Sequence, residues 1–286
     1  MNIYRDIKTI LTEGNMPEGE AKAVALLLLE KVAGLPAAQA LFADGKSLLC
    51  RRQNLLDMAS RISQGEPVQY VIGETDFCDL TLKVQPGVLI PRPETEELVN
   101  WMVEEVTSHL SPHTSHLLDI GTGSGCIAIA LSKKIADAEV EAWDVSDIAL
   151  EVARENAARN GVQVKLNKVD VLSPLNSKLT PLNHYDLIVS NPPYICEEEK
   201  KEMEQNVLEH EPEVALFVPD DEPLLFYRQI GALGQQMLKP GGRLFFEINR
   251  RFGKEVVNLL EGMCYQEVEL RQDMFGNDRM VKAIKR

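Results

Sequence analysis

Apolar positions recur at helical spacing through the first 65 residues of this 286-residue chain. Ile3, Ile7, Ile10 and Leu11 form one stripe, residues 18–33 form a second segment stopped by Gly34, and Leu48, Leu49, Leu55, Leu56, Ala59 and Ile62 line a third. The pattern predicts a small helical bundle over 1–65, with the leucine-rich stripes as its own core. After Gly65 the period changes. Short β-type runs at 77–84 and 88–90, separated by Pro86-Gly87, predict a β-hairpin linker over 66–91. Pro91-Arg92-Pro93-Glu94-Thr95-Glu96 then opens a helix that continues through Leu98, Met102 and Val106. Proline is tolerated in a first turn, and carboxylates are favoured at the positive end of a helix.

From 92 to 286 strands and helices alternate. Strands are predicted at 116–120, 139–143, 163–169, 185–190, 243–248, 267–270 and 280–284. Helices are predicted at 125–135, at 146–160 with a stop at Gly161, at 224–238 with a stop at Pro240-Gly241-Gly242, and from Gly253 onward. This alternation implies an α/β domain with a mainly parallel sheet covered on both faces. Ligands of such sheets bind beyond the carboxyl ends of the strands, where the strand order reverses.

Composition changes the picture through charge. Thirty Lys and Arg against 44 Asp and Glu leave a net charge of −14, a poor basis for binding a phosphate backbone, which depends on cations displacing counterions. The first 75 residues carry 8 basic and 9 acidic side chains, whereas 195–222 carries 11 carboxylates against Lys200 and Lys201 alone. That stretch is a solvated face or a feature that selects a substrate. Five cysteines (Cys50, Cys78, Cys126, Cys196, Cys264), widely spaced and without a CxxC pair, suggest neither a disulfide framework nor a metal site. The charged N-terminus lacks an apolar signal core, and the longest apolar run, 23–29, is too short to span a bilayer. A cytoplasmic, membrane-free setting is expected.

Two motifs carry the chemistry. Asp119-Ile120-Gly121-Thr122-Gly123-Ser124-Gly125 joins a strand to a helix, where glycines permit a tight turn and close approach of a ligand. Asp144 ends the next strand, nineteen residues after Gly125, and could accept hydrogens from a ribose diol; Asp170 could meet an adenine amino group. Asn191-Pro192-Pro193-Tyr194 follows strand 185–190. Its prolines fix the backbone, so the Pro192 carbonyl and the Asn191 amide become rigid acceptors suited to a planar NH2 group, with Tyr194 offering a ring face.

The G-x-G-x-G loop preceded by Asp resembles the class I S-adenosylmethionine methyltransferases, whose cofactor carries no phosphate; a nicotinamide enzyme is the weaker alternative. The Asn-Pro-Pro-Tyr signature is shared by methyltransferases of adenine N6, guanine N2 and protein glutamine. Gly65-Glu66-Pro67-Val68-Gln69-Tyr70, Phe77 with Leu80, residues 88–96, Glu211-Pro212 with Ala215-Leu216, and Asp273 through Gly276 to Arg279 extend the likeness. From residue 65 onward the chain resembles the HemK/PrmC family of protein-(glutamine-N5) methyltransferases. The resemblance implies a Rossmann-like methyltransferase sheet over 92–286. It also implies S-adenosyl-L-methionine contacts at Gly121, Thr122, Gly123, Ser124, Gly125, Asp144, Asp170, Val171 and Asn191. Asn191, Pro192, Pro193 and Tyr194 would hold a glutamine amide, with Asn191, Pro192 and Tyr194 in catalytic roles. The implied substrates are the Gly-Gly-Gln motifs of class I peptide chain release factors, recognised through the N-terminal bundle by a monomeric enzyme without direct nucleic-acid contact. The family usually has a glycine-rich segment after Ala-Leu, whereas residues 217–222 here read Phe-Val-Pro-Asp-Asp-Glu. The competing readings are a nucleic-acid amino-group methyltransferase, which needs a basic groove, and a non-catalytic nucleotide-binding module.

Overall fold

A computed structural model describes residues 2–40, 49–109, 115–173, 182 and 184–286. Asn2 accepts a hydrogen bond from Arg5 N and so opens α1 (Ile3–Glu13), and Gly34 in the left-handed conformation closes α2 (Glu18–Ala33). α3 (Ala37–Ala40), α4 (Leu49–Ser63) and α5 (Val68–Ile72) follow. Ile3, Ile7 and Leu11 of α1 meet Leu28 and Leu29 of α2 and Leu55, Ala59 and Ile62 of α4 in one buried cluster. The expected bundle core is present, although Leu48 lies outside the described residues. α5 is a helical turn where a β-type linker was expected, with Pro67 before it and left-handed Gly73 after it.

β1 (Glu74–Phe77) and β2 (Leu80–Lys83) form the expected hairpin at a shifted place. Its turn is Cys78-Asp79, with φ of 48° and 62°, a two-residue connection whose positive φ values match the twist of paired strands. Neither residue is glycine, which is why Pro86-Gly87 looked like the turn; that dipeptide instead precedes an irregular segment at 88–92.

The large sheet contains β3 (His116–Ile120), β4 (Glu139–Asp144), β5 (Val164–Lys168), β6 (Tyr185–Ser190), β9 (Leu238–Glu247), β10 (Tyr265–Gln272) and β11 (Asp278–Lys285), in the order β10-β11-β9-β6-β3-β4-β5. β5, β4, β3, β6 and β9 run parallel, and β11 inserts antiparallel between β9 and β10. A separate short pair joins β7 (Ile195–Cys196) to β8 (Phe217–Val218). The remaining helices are α6 (Pro93–His109), α7 (Cys126–Lys134), α8 (Asp147–Arg159), α9 (Gln205–His210), α10 (Glu213–Leu216), α11 (Leu225–Met237) and α12 (Gly253–Gly262).

Alternate residues of each strand feed two cores. Leu117, Leu187, Val189 and Phe245 pack with α6 and α7, while Leu118, Ile188, Leu244 and Phe246 pack with α11 and α12. Burial on both faces explains why these strands read as nearly continuous apolar runs. β9 departs from expectation, because Pro240-Gly241-Gly242 lies within it and not before it. Pairing jumps from Tyr185↔Leu238 to Leu187↔Arg243, so the proline and its two glycines occupy an irregularity in the ladder. The chain divides into two compact units: Met1–Glu74 with Glu204–His210, and Thr75–Met203 with Glu211–Arg286.

Candidate functional site

The strand order reverses between β3 and β6, and the glycine loop sits at the carboxyl end of β3. Gly121 N and Thr122 N both donate to Trp143 O, at 2.8 and 3.0 Å, which holds the loop level with the end of β4. Gly121, Gly123 and Gly125 have φ of 75°, 55° and 83°, a region that strains any residue with a Cβ. Gly125 also lacks room, since a Cβ there would lie 2.9 Å from Ile129 Cδ1 and 3.1 Å from Ala153 Cβ. Below the loop, buried Asp119 accepts from Thr122 Oγ1 at 2.7 Å and from Ala128 N at 3.3 Å, both on Oδ2. Its Oδ1 has no partner among the described residues. Burial pushes the Asp119 carboxyl up to about 7.

Asp144 Oδ2 accepts from Gly123 N and Oδ1 from Ser146 N, each at 2.9 Å, so this carboxylate is aimed by the loop it faces. Burial raises its pKa as well. Asp170 accepts from Leu172 N at 2.9 Å and Ser173 Oγ at 2.7 Å. Gly121, Thr122, Gly123, Ser124, Asp144, Asp170, Val171, Asn191, Pro192 and Pro193 all line one cavity of about 340 Å³. Such a volume suits a small-molecule site, which typically spans about 300–1,000 Å³. Gly125 and Tyr194 are not among the lining residues. Gly125 serves the packing of α7 on α8.

The wall fits an adenosyl sulfonium cofactor. A Cβ at Gly123 would meet nothing within 4 Å, so its backbone is open to a ligand. Asp144 and Asp170 keep lone pairs for hydroxyl or amino hydrogens, and Val145, Val171 and Leu172 give apolar flanks for a flat ring. Among the described residues Arg92 is the cation on the wall, and it is paired with buried Glu211, which leaves little counter-charge for a pyrophosphate. Glu211 also accepts from Ile90 N at 3.2 Å, so one carboxylate ties residues 90–92 to the segment carrying Pro212, Val214 and Ala215 on the same wall.

Across the cavity, Ser190 Oγ donates to Ile120 O at 2.7 Å and anchors the end of β6. Asn191 Nδ2 donates to Thr95 Oγ1 at 3.4 Å, Thr95 Oγ1 donates to Glu247 Oε2 at 2.6 Å, and Tyr194 Oη donates to Glu247 Oε1 at 3.1 Å. Asn191 Oδ1 accepts no hydrogen bond among the described residues. Asn249 Nδ2 donates to Tyr194 O at 3.0 Å and to Glu199 Oε2 at 2.8 Å. The ring of Tyr194 packs against the core shared with Tyr227 and Phe246, and burial raises its pKa, with Glu247 adding to the shift. Tyr194 therefore presents its hydroxyl to Glu247, where sequence reading placed its ring at the target. Burial also raises the Glu247 pKa, opposed by Thr95, Arg279 and Tyr194.

Arg92, Thr95 and Glu211 lie in segments that carry the family likeness but have no site role in the sequence, and Glu247 has no mark there as a site residue. A signal for Glu247 was available: it is a carboxylate inside the apolar run Leu244-Phe245-Phe246-Glu247-Ile248. The acidic stretch is substantially paired. Glu197 bridges to Lys200 at 2.6 Å, Glu198 to Arg251 at 2.9 Å, and Glu199 accepts from Cys196 N.

Among the described residues no helix is long and apolar enough to cross a membrane. The PrmC N-terminal domain family matches residues 3–73, and the methyltransferase small domain family matches 96–214. The solved structure of the delta-N METTL16 MTase domain aligns with a TM-score of 0.54 over 78% of this chain and 95% of that one, at 19% identity, a likeness of fold. The release factor glutamine methyltransferase of Flavobacterium psychrophilum is 47% identical over 225 residues, 78% of this chain and 77% of that protein. That of Bacteroides thetaiotaomicron is 46% identical over 270 residues, 93% of this chain and 94% of that protein. With two domain families in the matching order and nearly full-length identity of this degree, the chain belongs to the release factor glutamine methyltransferase family.

Proposed function

We propose that this enzyme transfers the methyl group of S-adenosyl-L-methionine to the side-chain amide nitrogen of the glutamine in the Gly-Gly-Gln motif of class I peptide chain release factors. The observation that carries the reading is the unengaged Asn191 Oδ1 on the wall of the cavity that also holds the glycine loop. Release factors act in translation, so the reaction belongs to the cytoplasm, and the charge of −14 argues against direct contact with nucleic acid.

An amide nitrogen is a poor nucleophile because its lone pair is shared with the carbonyl. The cofactor supplies an electrophilic methyl on a sulfonium. The protein supplies position, which in favourable cases is worth about 7–11 kcal/mol of barrier. Asn191 Oδ1 and the Pro192 carbonyl accept the two amide hydrogens and aim the nitrogen; Pro193 keeps that backbone from relaxing. Gly121 to Ser124 accommodate the methionyl portion, with Gly125 holding the loop against α8. Asp144 takes the ribose, and Asp170 with Val171 takes the adenine. Among the described residues the wall carries no histidine or lysine, in keeping with a reaction whose nitrogen loses its proton only after gaining the methyl.

The test is transfer of labelled methyl to a release factor and to its Gln→Ala form at Gly-Gly-Gln. Label on the first alone is expected, and equal labelling of both refutes the assignment. Asn191→Ala is expected to lower turnover by at least about 100-fold while the S-adenosylmethionine dissociation constant stays within about threefold. Near-normal turnover would show that Asn191 does not hold the target amide.

A further inference from the structure

Glu247 is buried at the end of β9, in a strand that is otherwise apolar there. A carboxylate in such a place is unfavourable unless its oxygens are bonded, and here both are, by Thr95 and by Tyr194. Neither Glu247 nor Tyr194 lines the cavity; Thr95 and Asn191 do. We propose that Thr95 and Glu247 are positioning residues that decide which end of the Asn191 amide faces the substrate. The proposal rests on Asn191 being the residue that holds the target amide.

The argument is one of hydrogen-bond polarity. An ionised carboxylate can only accept. Both oxygens of Glu247 receive a hydroxyl hydrogen, Oε2 from Thr95 at 2.6 Å and Oε1 from Tyr194 at 3.1 Å, so the carboxylate acts as acceptor on each side. The single hydrogen of Thr95 is thereby committed, and toward Asn191 Thr95 can only accept. An amide facing an acceptor turns its NH2 group to it, so Nδ2 points at Thr95 and Oδ1 is left for the cavity. The flipped amide would set Oδ1 against the lone pairs of Thr95 and present two donors to an incoming NH2 group. Tyr194 completes the arrangement by holding the second oxygen of Glu247 at 3.1 Å. The order of donation therefore runs from Asn191 to Thr95 to Glu247, with Tyr194 bracing the far end. The elements concerned are the first turn of α6, the end of β6 and the end of β9, so the fold itself sets the direction of the amide.

A purely structural role for Thr95 would be carried by its methyl group, and the two roles separate by substitution. Thr95→Val keeps the shape and deletes the hydroxyl, and Thr95→Ser does the reverse. Release-factor methylation is measured by steady-state kinetics for both variants beside Asn191→Ala, with S-adenosylmethionine affinity by calorimetry. The expected result for Thr95→Val is a kcat lower by about 100-fold with the release-factor KM and the cofactor affinity within about threefold. Thr95→Ser is expected to recover most of that kcat. A Thr95→Val enzyme with kcat near wild type beside an inactive Asn191→Ala overturns the relay and leaves the Asn191 assignment standing; an active Asn191→Ala overturns both. Where Thr95→Val lowers the melting temperature, Thr95→Ala is compared with Thr95→Ser: a kcat loss confined to Ala supports the relay, and equal kcat values refute it.

Discussion

Asp119 is a buried group at this site whose protonation bears on stability. Its Oδ2 braces the glycine loop through Thr122 and Ala128 while Oδ1 has no partner among the described residues, and burial lifts it from 3.8 to about 7. A carboxyl whose folded pKa is raised binds its proton more tightly in the folded state. Its contribution to stability is complete below pH about 3.8 and is lost as pH rises through about 7. Thermal unfolding is therefore expected to show the wild type losing stability between about pH 4 and about pH 7 more steeply than Asp119→Asn, in which nothing titrates at this position. Parallel slopes for the two proteins would show that Asp119 is ionised throughout. The requirement for an acidic residue before the loop was visible in the sequence, but its titration was not, because desolvation depends on what covers it.

Helix α11 shows how an element answers to its neighbours. Glycine to alanine in an exposed helix interior is favourable by about 1 kcal/mol. Gly234 is buried in α11, and a Cβ there would lie 2.3 Å from Tyr265 Oη, whose hydroxyl donates to Gly231 O at 2.8 Å. Overpacking of this kind costs about 1–3 kcal/mol. The second effect wins, so Gly234→Ala is expected to lower the urea midpoint at unchanged m-value, for a net destabilisation of up to about 2 kcal/mol. A rise in the midpoint would mean that Tyr265 moves away freely. The hairpin makes the same point for a turn. Its position at Cys78-Asp79 follows from pairing of the flanking strands, a choice that Pro86-Gly87 as a local signal could not report.

For the molecule as a whole, the charge of −14 is concentrated after the Asn-Pro-Pro-Tyr segment, yet the structure spends part of it locally. Lys200 and Arg251 face Glu197 and Glu198, and Glu199 is tied to Cys196 N and Asn249. Rim charges change encounter and salt dependence more than bound-state affinity. If this stretch steers the release factor, Glu197→Gln with Glu198→Gln raises KM by about two- to fivefold at low ionic strength, and the difference vanishes near about 0.5 M salt, where screening is nearly complete beyond about 4 Å. Kinetics at the two salt concentrations check this, and an unchanged KM at both removes the stretch from substrate choice. Glu199 is left in place because its replacement would cut bonds that hold Tyr194 through Asn249.

The helical first part, the alternating strands and helices and the glycine loop were all readable from the chain, because each is set by interactions a few residues long: apolar periodicity, caps, and positions where only glycine is unstrained. Asp144, Asp170 and Asn191, which line one cavity, could be singled out as candidates because a strand end followed by a helix or a proline pair has a local signature. The irregular start of β9, the orientation of Tyr194 and the Asn191-Thr95-Glu247 relay were not readable. Thr95 lies 152 residues from Glu247 and 96 from Asn191, so no spacing in the chain records their meeting. Glu247 sits in an apolar strand with both of its oxygens bonded, by Thr95 and by Tyr194, and those donors reach it only once the strands have been assembled in their final order.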